Sequence, residues 1–276
     1  MDAPGARLFH ELVDRPDGDI DLAQAALAIA AEEYSGLRMG SYLARLDALA
    51  RDVEEDATGG DEMGVLAALI DRLGRVEGFR GNREDYGDPR NSFLNEVLDR
   101  RVGIPLSLSL VYMLVGRRVG LTMAGIAFPG HFLSRCDLDE GFVVLDAFDG
   151  GRQLSLDDCQ RLLHAFSREA PFEREMLEPA SHRSILFRML ANLKGAYLKI
   201  GEEQRALRTL ERMLLLAPGH PGLHRDRGLL LFELGRPDEA LHDLEQYQEL
   251  APTKAAGDPA ALTLMAVAKK RRLTLN

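Results

Sequence analysis

The residues best placed to do chemistry are His131 and Asp146. They bracket two β-rich stretches, 131–136 and 142–148, separated by Asp137-Leu138-Asp139-Glu140-Gly141. A hairpin turning at 137–141 sets opposite one another residues whose numbers sum to about 277 or 278, which brings His131 within one register step of Asp146. An imidazole oriented by a carboxylate is the base half of a nucleophilic triad. The same two residue types also form purely structural hydrogen bonds, and spacing leaves both readings open. A triad further needs a nucleophile. The chain has two cysteines, Cys136 and Cys159. Cys136 lies beyond His131 on the same strand and Cys159 falls in the following helix, so neither lines up to attack. Both read as small buried hydrophobes.

A second concentration of polar groups is the stretch 78–91, GFRGNREDYGDPRN, whose Gly, Asn, Asp and Pro content marks an ordered loop. Its Arg80, Asn82, Tyr86, Arg90 and Asn91 have two readings. They satisfy the loop's own backbone, or they form a ligand-facing rim in which Arg80 and Arg90 engage a carboxylate. Asp137, Asp139 and Glu140 lack the spacing of a calcium loop, and His164 and His182 have no ligand partner at helical spacing. Neither a metal nor another cofactor is therefore expected. Lys269–Arg272 reads as a solvated helix end, where positive charge suits the helix dipole.

These residues need elements to hold them. The chain has 276 residues, with 34 Lys+Arg against 44 Asp+Glu, a formal net charge of −10. That length accommodates about two domains, and the acidic balance argues against nucleic acid as the main partner. Residues 1–75 read as a helical region, with apolar residues at helical spacing over 21–55 and through Leu66, Leu69, Ile70 and Leu73. Ser41 is placed to cap the second helix and Ser92 the short helix Phe93–Arg101. The most apolar stretch, Ile104–Gly116, is 13 residues long. A bilayer span needs about 20 residues, so this is a buried helix opened by Pro105. With no apolar leader in residues 1–20, a soluble cytoplasmic protein that does not engage a membrane is expected. Leu121–Phe128, His131–Cys136 and Phe142–Phe148 form an antiparallel meander. A helix over 155–166, capped by Ser155 with Asp158 three residues on, closes this core, taken as residues 76–168.

Residues 182–276 carry an internal repeat. Sliding 187–218 by 34 residues onto 221–252 aligns Gly201 with Gly235, Ala206 with Ala240, Leu207 with Leu241 and Leu216-Ala217-Pro218 with Leu250-Ala251-Pro252. That period and spacing is the tetratricopeptide pattern of paired antiparallel helices, here two repeats with a capping helix from Asp258-Pro259. The fold class is α+β in the core and α-helical in the repeats.

The order of a glycine turn, a buried helix, a strand with His131 and a strand with Asp146 resembles the transglutaminase core, a relative of the papain-like fold. More closely, the stretches GFRGNREDYGDPRNSFLNEVLDRRVGIPLSLSL, FPGHFLSR and LDAFDGGRQLS, followed by LANLKGAYLK and RDRGLLLFELGRP, resemble the bacterial SirB family over roughly residues 20–275. The resemblance implies a transglutaminase-like core followed by repeats, and a regulatory association in bacteria. Active cores of this kind open the helix with Gly-x-Cys, where the helix N-terminus lowers the thiol pKa. This chain has Gly103-Ile104-Pro105, and Asp146 is followed by Ala147 where the pattern has proline. Ser109 lies one turn beyond Pro105 on about the same face, whereas Ser107 is rotated by roughly 200°. Both serines also suit bonding to their own helix backbone. Two functions follow. One is a non-catalytic interaction protein binding a protein or peptide partner. The other is a hydrolase or acyl-transferase acting on amide or ester bonds through His131, Asp146 and Ser109 or an activated water.

Overall fold

The structure is a computed structural model and describes residues 4–275. The chain divides into two compact units, residues 1–189 and 190–276.

The first unit opens with α1 (Pro4–Val13), α2 (Leu22–Glu33), α3 (Met39–Asp56) and α4 (Glu62–Ile70), the last widening into a π-type turn at Asp71–Val76. The helical region expected over 1–75 includes α1, which lies ahead of the helical spacing that starts at residue 21, buries Phe9, Leu12 and Val13 and packs on α2. Close approach is possible because α2 faces it with alanines. A Cβ on Gly5 would stand 2.6 Å from the Ala28 carbonyl oxygen. Ser41 does not cap α3, which starts earlier, with Arg38 at its N-cap. Ser92 likewise sits in a 3-10 turn, Pro89–Ser92, ahead of α5 (Leu94–Arg100), whose N-cap is Phe93.

Two short parallel strands, β1 (Arg80–Gly81) and β2 (Val102–Gly103), lead to α6 (Pro105–Arg118). Every residue from Pro105 to Gly116 is buried. A helix apolar on all sides must be covered on all sides, and α6 packs against α3, α4 and the sheet that follows. That sheet runs β3 (Thr122–Ile126), β4 (Leu133–Leu138), β5 (Gly141–Asp146) and β6 (Arg152–Leu154), all antiparallel neighbours. The expected hairpin is corrected in register. Only Asp139 and Glu140 close it, with Leu138 opposite Gly141 and Ser134 opposite Leu145. Gly141 takes φ +124°, which favours glycine. The tighter turn leaves His131 outside the strand. The three-residue β6 extends the expected meander. In α7 (Leu156–Phe166) the expected cap forms: Ser155 and Asp158 exchange backbone and side-chain hydrogen bonds.

The helices α8 (His182–Lys199), α9 (Glu203–Leu216), α10 (Pro221–Glu233), α11 (Pro237–Leu250), α12 (Pro252–Ala256) and α13 (Pro259–Leu275) carry the repeats. The 34-residue period is visible in the backbone. Gly201 and Gly235 take φ +74° and +75°, and Ala217 and Ala251 take φ −143° and −144°. Gly228 lets α10 meet α11, since a Cβ there would lie 2.8 Å from the Leu244 side chain. Ala261 and Met265 of α13 cover Leu241 and Leu244 of α11. The side chains of Arg271 and Arg272, half of the expected basic run, lie outside the described residues. Among the described residues, no helix is long and apolar enough to cross a membrane.

Candidate functional site

His131 is presented by a turn. Phe128-Pro129-Gly130-His131 is closed by the His131 N–H donating to the Phe128 carbonyl at 3.1 Å, with Gly130 at φ +69°. Proline then a positive-φ glycine is the central pair of a type II turn. A Cβ on Gly130 would also stand 2.3 Å from the Phe166 ring. Arg188 of α8 secures the turn from outside, donating to the carbonyls of Phe128 and His131.

The side chain meets Asp146 at the end of β5. His131 Nε2 lies 3.0 Å from Asp146 Oδ1, and their side chains are 14% and 10% exposed. The same oxygen accepts the Phe148 N–H at 3.0 Å. An ionised carboxylate only accepts, so in the neutral imidazole Nε2 carries the proton and Nδ1 the lone pair. Nothing among the described residues hydrogen-bonds Nδ1. Phe148 sets the ring from the side, edge-on to His131 with centroids 6.1 Å apart, and it meets Tyr86 at the same separation. Its own seat is Gly81, where a Cβ would stand 2.4 Å from the Phe148 ring. Phe148 and Arg188 were not singled out from sequence. LDAFDGG holds the one useful signal, an aromatic two residues beyond Asp146.

At the head of α6, Pro105 is buried and supplies no nucleophilic atom. Ser107 is tied down, accepting the Ile104 N–H at 3.1 Å and reaching the Asn91 carbonyl at 2.6 Å. Ser109 is fully buried and turns its hydroxyl to the Phe132 carbonyl at 3.4 Å, and no hydrogen bond joins it to His131. Cys136 and Cys159 are buried, and burial pushes both thiols up to about 11, so they are protonated at neutral pH. The Tyr112 hydroxyl is buried without a hydrogen-bond partner; burial, then the Asp146 charge, raises its pKa and keeps it a donor.

The loop before α5 separates into two groups. Asn82 and Asn91 are structural: Asn82 Nδ2 donates to Asn91 Oδ1 at 2.9 Å, and Asn91 Nδ2 donates to the Asp85 carbonyl at 2.7 Å. Arg80, Tyr86 and Arg90 are exposed. Arg80 and Arg90 border a cleft of about 580 Å³ whose walls include Arg83, Arg100, Asp88 and Phe148. His182 joins the N-terminal region to α8, its Nδ1 on the Ile20 carbonyl at 2.9 Å and its Nε2 3.2 Å from Arg117. Asp137 pairs with Arg135 at 2.6 Å. No group of three or more metal-ligating side chains occurs among the described residues.

The repeats hold a second His–Asp pair, which the sequence did not announce. His224 Nδ1 lies 3.0 Å from Asp243 Oδ1, and His224 Nε2 lies 2.8 Å from the Pro218 carbonyl. Arg227 grips both Asp243 oxygens, at 2.6 and 2.7 Å, and Asp243 is only 1% exposed.

Comparison with known proteins agrees with this architecture. Residues 40–191 match the transglutaminase-like superfamily and residues 193–268 match the tetratricopeptide repeat. A UPF0162 protein of Xylella fastidiosa (strain Temecula1) is 39% identical over 254 residues, 89% of each chain. A UPF0162 protein of Vibrio cholerae is 30% identical over 218 residues, 78% of this chain and 80% of that one. F-box only protein 21 of Homo sapiens is 33% identical over 168 residues, 57% of this chain and 26% of that protein.

Proposed function

The chain belongs to the UPF0162 (SirB-like) family of transglutaminase-like proteins with tetratricopeptide repeats, and from that premise we propose that its core binds a protein or peptide partner without cleaving it. In this reading the core keeps the base of the transglutaminase site, His131 with Asp146, and lacks the nucleophile. One observation carries it: His131 Nδ1 has no hydrogen-bond partner among the described residues, while the head of α6 offers proline where the resemblance to active transglutaminase-like cores implies cysteine. A base without a nucleophile still recognises. Nδ1 accepts a hydrogen bond from an amide N–H, and Tyr86 and Arg80 stand exposed on the loop beside the site to hold a peptide. The repeats supply a second partner surface, since stacked helix pairs present grooves for peptides and helices. A regulatory role in the bacterial cytoplasm follows from the family resemblance.

A hydrolase or acyl-transferase is the second reading, favoured by the same lone pair on Nδ1, which is placed to activate a water. Ser109 is the weaker agent, because a serine needs its base within hydrogen-bond reach. The readings separate on turnover of fluorogenic ester and amide peptides by the full chain and by His131→Ala. The binding reading expects both to match the uncatalysed background. Turnover by the wild-type chain that His131→Ala abolishes would sink it.

A further inference from the structure

Four arginines, Arg80, Arg83, Arg90 and Arg100, and four carboxylates, Glu84, Asp85, Asp88 and Asp149, border the cleft beside Phe148, and their pairing is uneven. Arg90 and Arg100 both turn to Asp88, at 2.8 and 3.5 Å. Arg83 reaches Asp149 at 3.4 Å, and Arg152 from outside the cleft shares that carboxylate at 3.6 Å. The Arg80 side chain makes one long hydrogen bond, 3.4 Å to the Gly78 carbonyl, and has no carboxylate partner among the described residues. Glu84 and Asp85 are exposed, as are Arg80, Arg83 and Arg90, and among the described residues no ion pair joins either carboxylate to an arginine of the cleft. Among the described residues, Arg100 Nη1 is buried and has no hydrogen-bond partner. Buried donors are rarely left so, and an orphan in a cleft wall points to an acceptor that arrives from outside.

The cleft is also joined to the His131 pair. Phe148 lines the cleft and also meets His131, the two rings edge-on with centroids 6.1 Å apart. Arg83 stacks over that ring at 5.0 Å, and the Phe148 N–H is held by the Asp146 oxygen that receives His131. An anion that draws Arg83 toward it therefore disturbs the ring against which His131 rests.

We propose that this cleft is an anion subsite that takes a carboxylate side chain of a bound peptide, with Arg80 and Arg100 offering donors that no protein group uses, and that Phe148 links its occupancy to His131. Guanidinium and carboxylate match as fork to fork, which fits an acidic residue better than a neutral one. The proposal rests on the reading of the core as a peptide-binding site, and it names the class of peptide.

The test uses the full chain with isotopically labelled histidine, the His131 ring signals being assigned by their absence in His131→Gln. The probes are acetyl-Gly-Glu-Gly-Glu-Gly-amide, its glutamine counterpart and inorganic phosphate. The glutamate peptide is expected to saturate and to move the His131 signals, and the glutamine peptide to bind at least about tenfold more weakly. Arg80→Gln combined with Arg83→Gln, both on the exposed loop, is expected to weaken the glutamate peptide by about tenfold. Equal binding of the two peptides, no binding of either, or an unaffected double variant overturns the subsite. Glutamate binding that leaves the His131 signals unmoved overturns the link through Phe148. Phosphate binding as tightly as the glutamate peptide assigns the cleft to free anions and overturns the peptide assignment. Turnover of peptide substrates would instead contradict the non-catalytic reading, and would leave these binding ratios where they are.

Discussion

Two His–Asp pairs in this chain share a nitrogen-to-oxygen separation of 3.0 Å and differ in what surrounds it. In the repeats, the second nitrogen of His224 is consumed by the Pro218 carbonyl, and Arg227 takes both oxygens of Asp243. In the core, the second nitrogen of His131 has no hydrogen-bond partner among the described residues, and the further hydrogen bond on Asp146 Oδ1 comes from the Phe148 backbone. The first arrangement is closed: both imidazole nitrogens and both carboxylate oxygens are used within the protein, which is how a buried ionic cluster is tolerated. The second is open at one atom. A His–Asp contact is thus not in itself a sign of chemistry, and the partner of the other ring nitrogen separates structure from site.

The comparison can be broken by stability measurements. Asp243→Ala strands a buried guanidinium and an imidazole, so it is expected to cost about 3–5 kcal/mol, read by chemical denaturation of the full chain. Asp146→Ala strands one imidazole N–H and one backbone N–H, with an expected cost of about 1–3 kcal/mol. If the Asp146 change proved the more damaging, the core pair would be the structural one. A third carboxylate with no imidazole partner serves as the control. Asp17 accepts the backbone N–H groups of His182 and Arg183, at 3.0 and 2.8 Å, at the start of α8. Burial would raise its pKa, but those two donors together with the charges of His182 and Arg183 outweigh burial and hold the carboxyl below its usual value. A carboxyl depressed in the folded state stabilises above its unfolded pKa, and that contribution fades as pH falls through the folded value. Asp17→Asn is therefore expected to cost about 1 kcal/mol at neutral pH and to give a melting temperature that falls less steeply than wild type below about pH 4.

The repeats were legible because their rules are local. A positive-φ glycine and a proline after the second helix recur 34 residues apart, and the backbone angles at Gly201 and Gly235 agree to within a degree. The buried helix α6 was legible from its apolar run. The meeting of His131 with Asp146 was also legible, though by the wrong route. The hairpin register expected them on facing strands, whereas His131 stands on a turn before β4 and reaches back with its side chain. That turn depends on Gly130 meeting Phe166 and on Arg188, contacts distant in sequence that no periodicity records. The loop 79–92 shows the same limit. Composition marked it as polar and ordered, but nothing in it separated Asn91, which is buried and bonded to Asn82 and the Asp85 carbonyl, from Arg80 and Arg90, which line the cleft. The strands β1 and β6 hold two and three residues, too few for a period of two to register.

The central claim is that the core retains a base and lacks a nucleophile. Intact mass measured after exposure to a peptide chloromethyl ketone tests it, on wild type, Pro105→Cys and Pro105→Cys with His131→Ala. The expected result is no adduct at neutral pH on the wild-type chain, whose two thiols are buried and protonated, and one adduct on Pro105→Cys that is slowed by about 10²-fold or more when His131 is removed. An adduct on the wild-type chain at His131 or Ser109, lost in His131→Ala, would show that the site is chemically competent as it stands and would contradict the account.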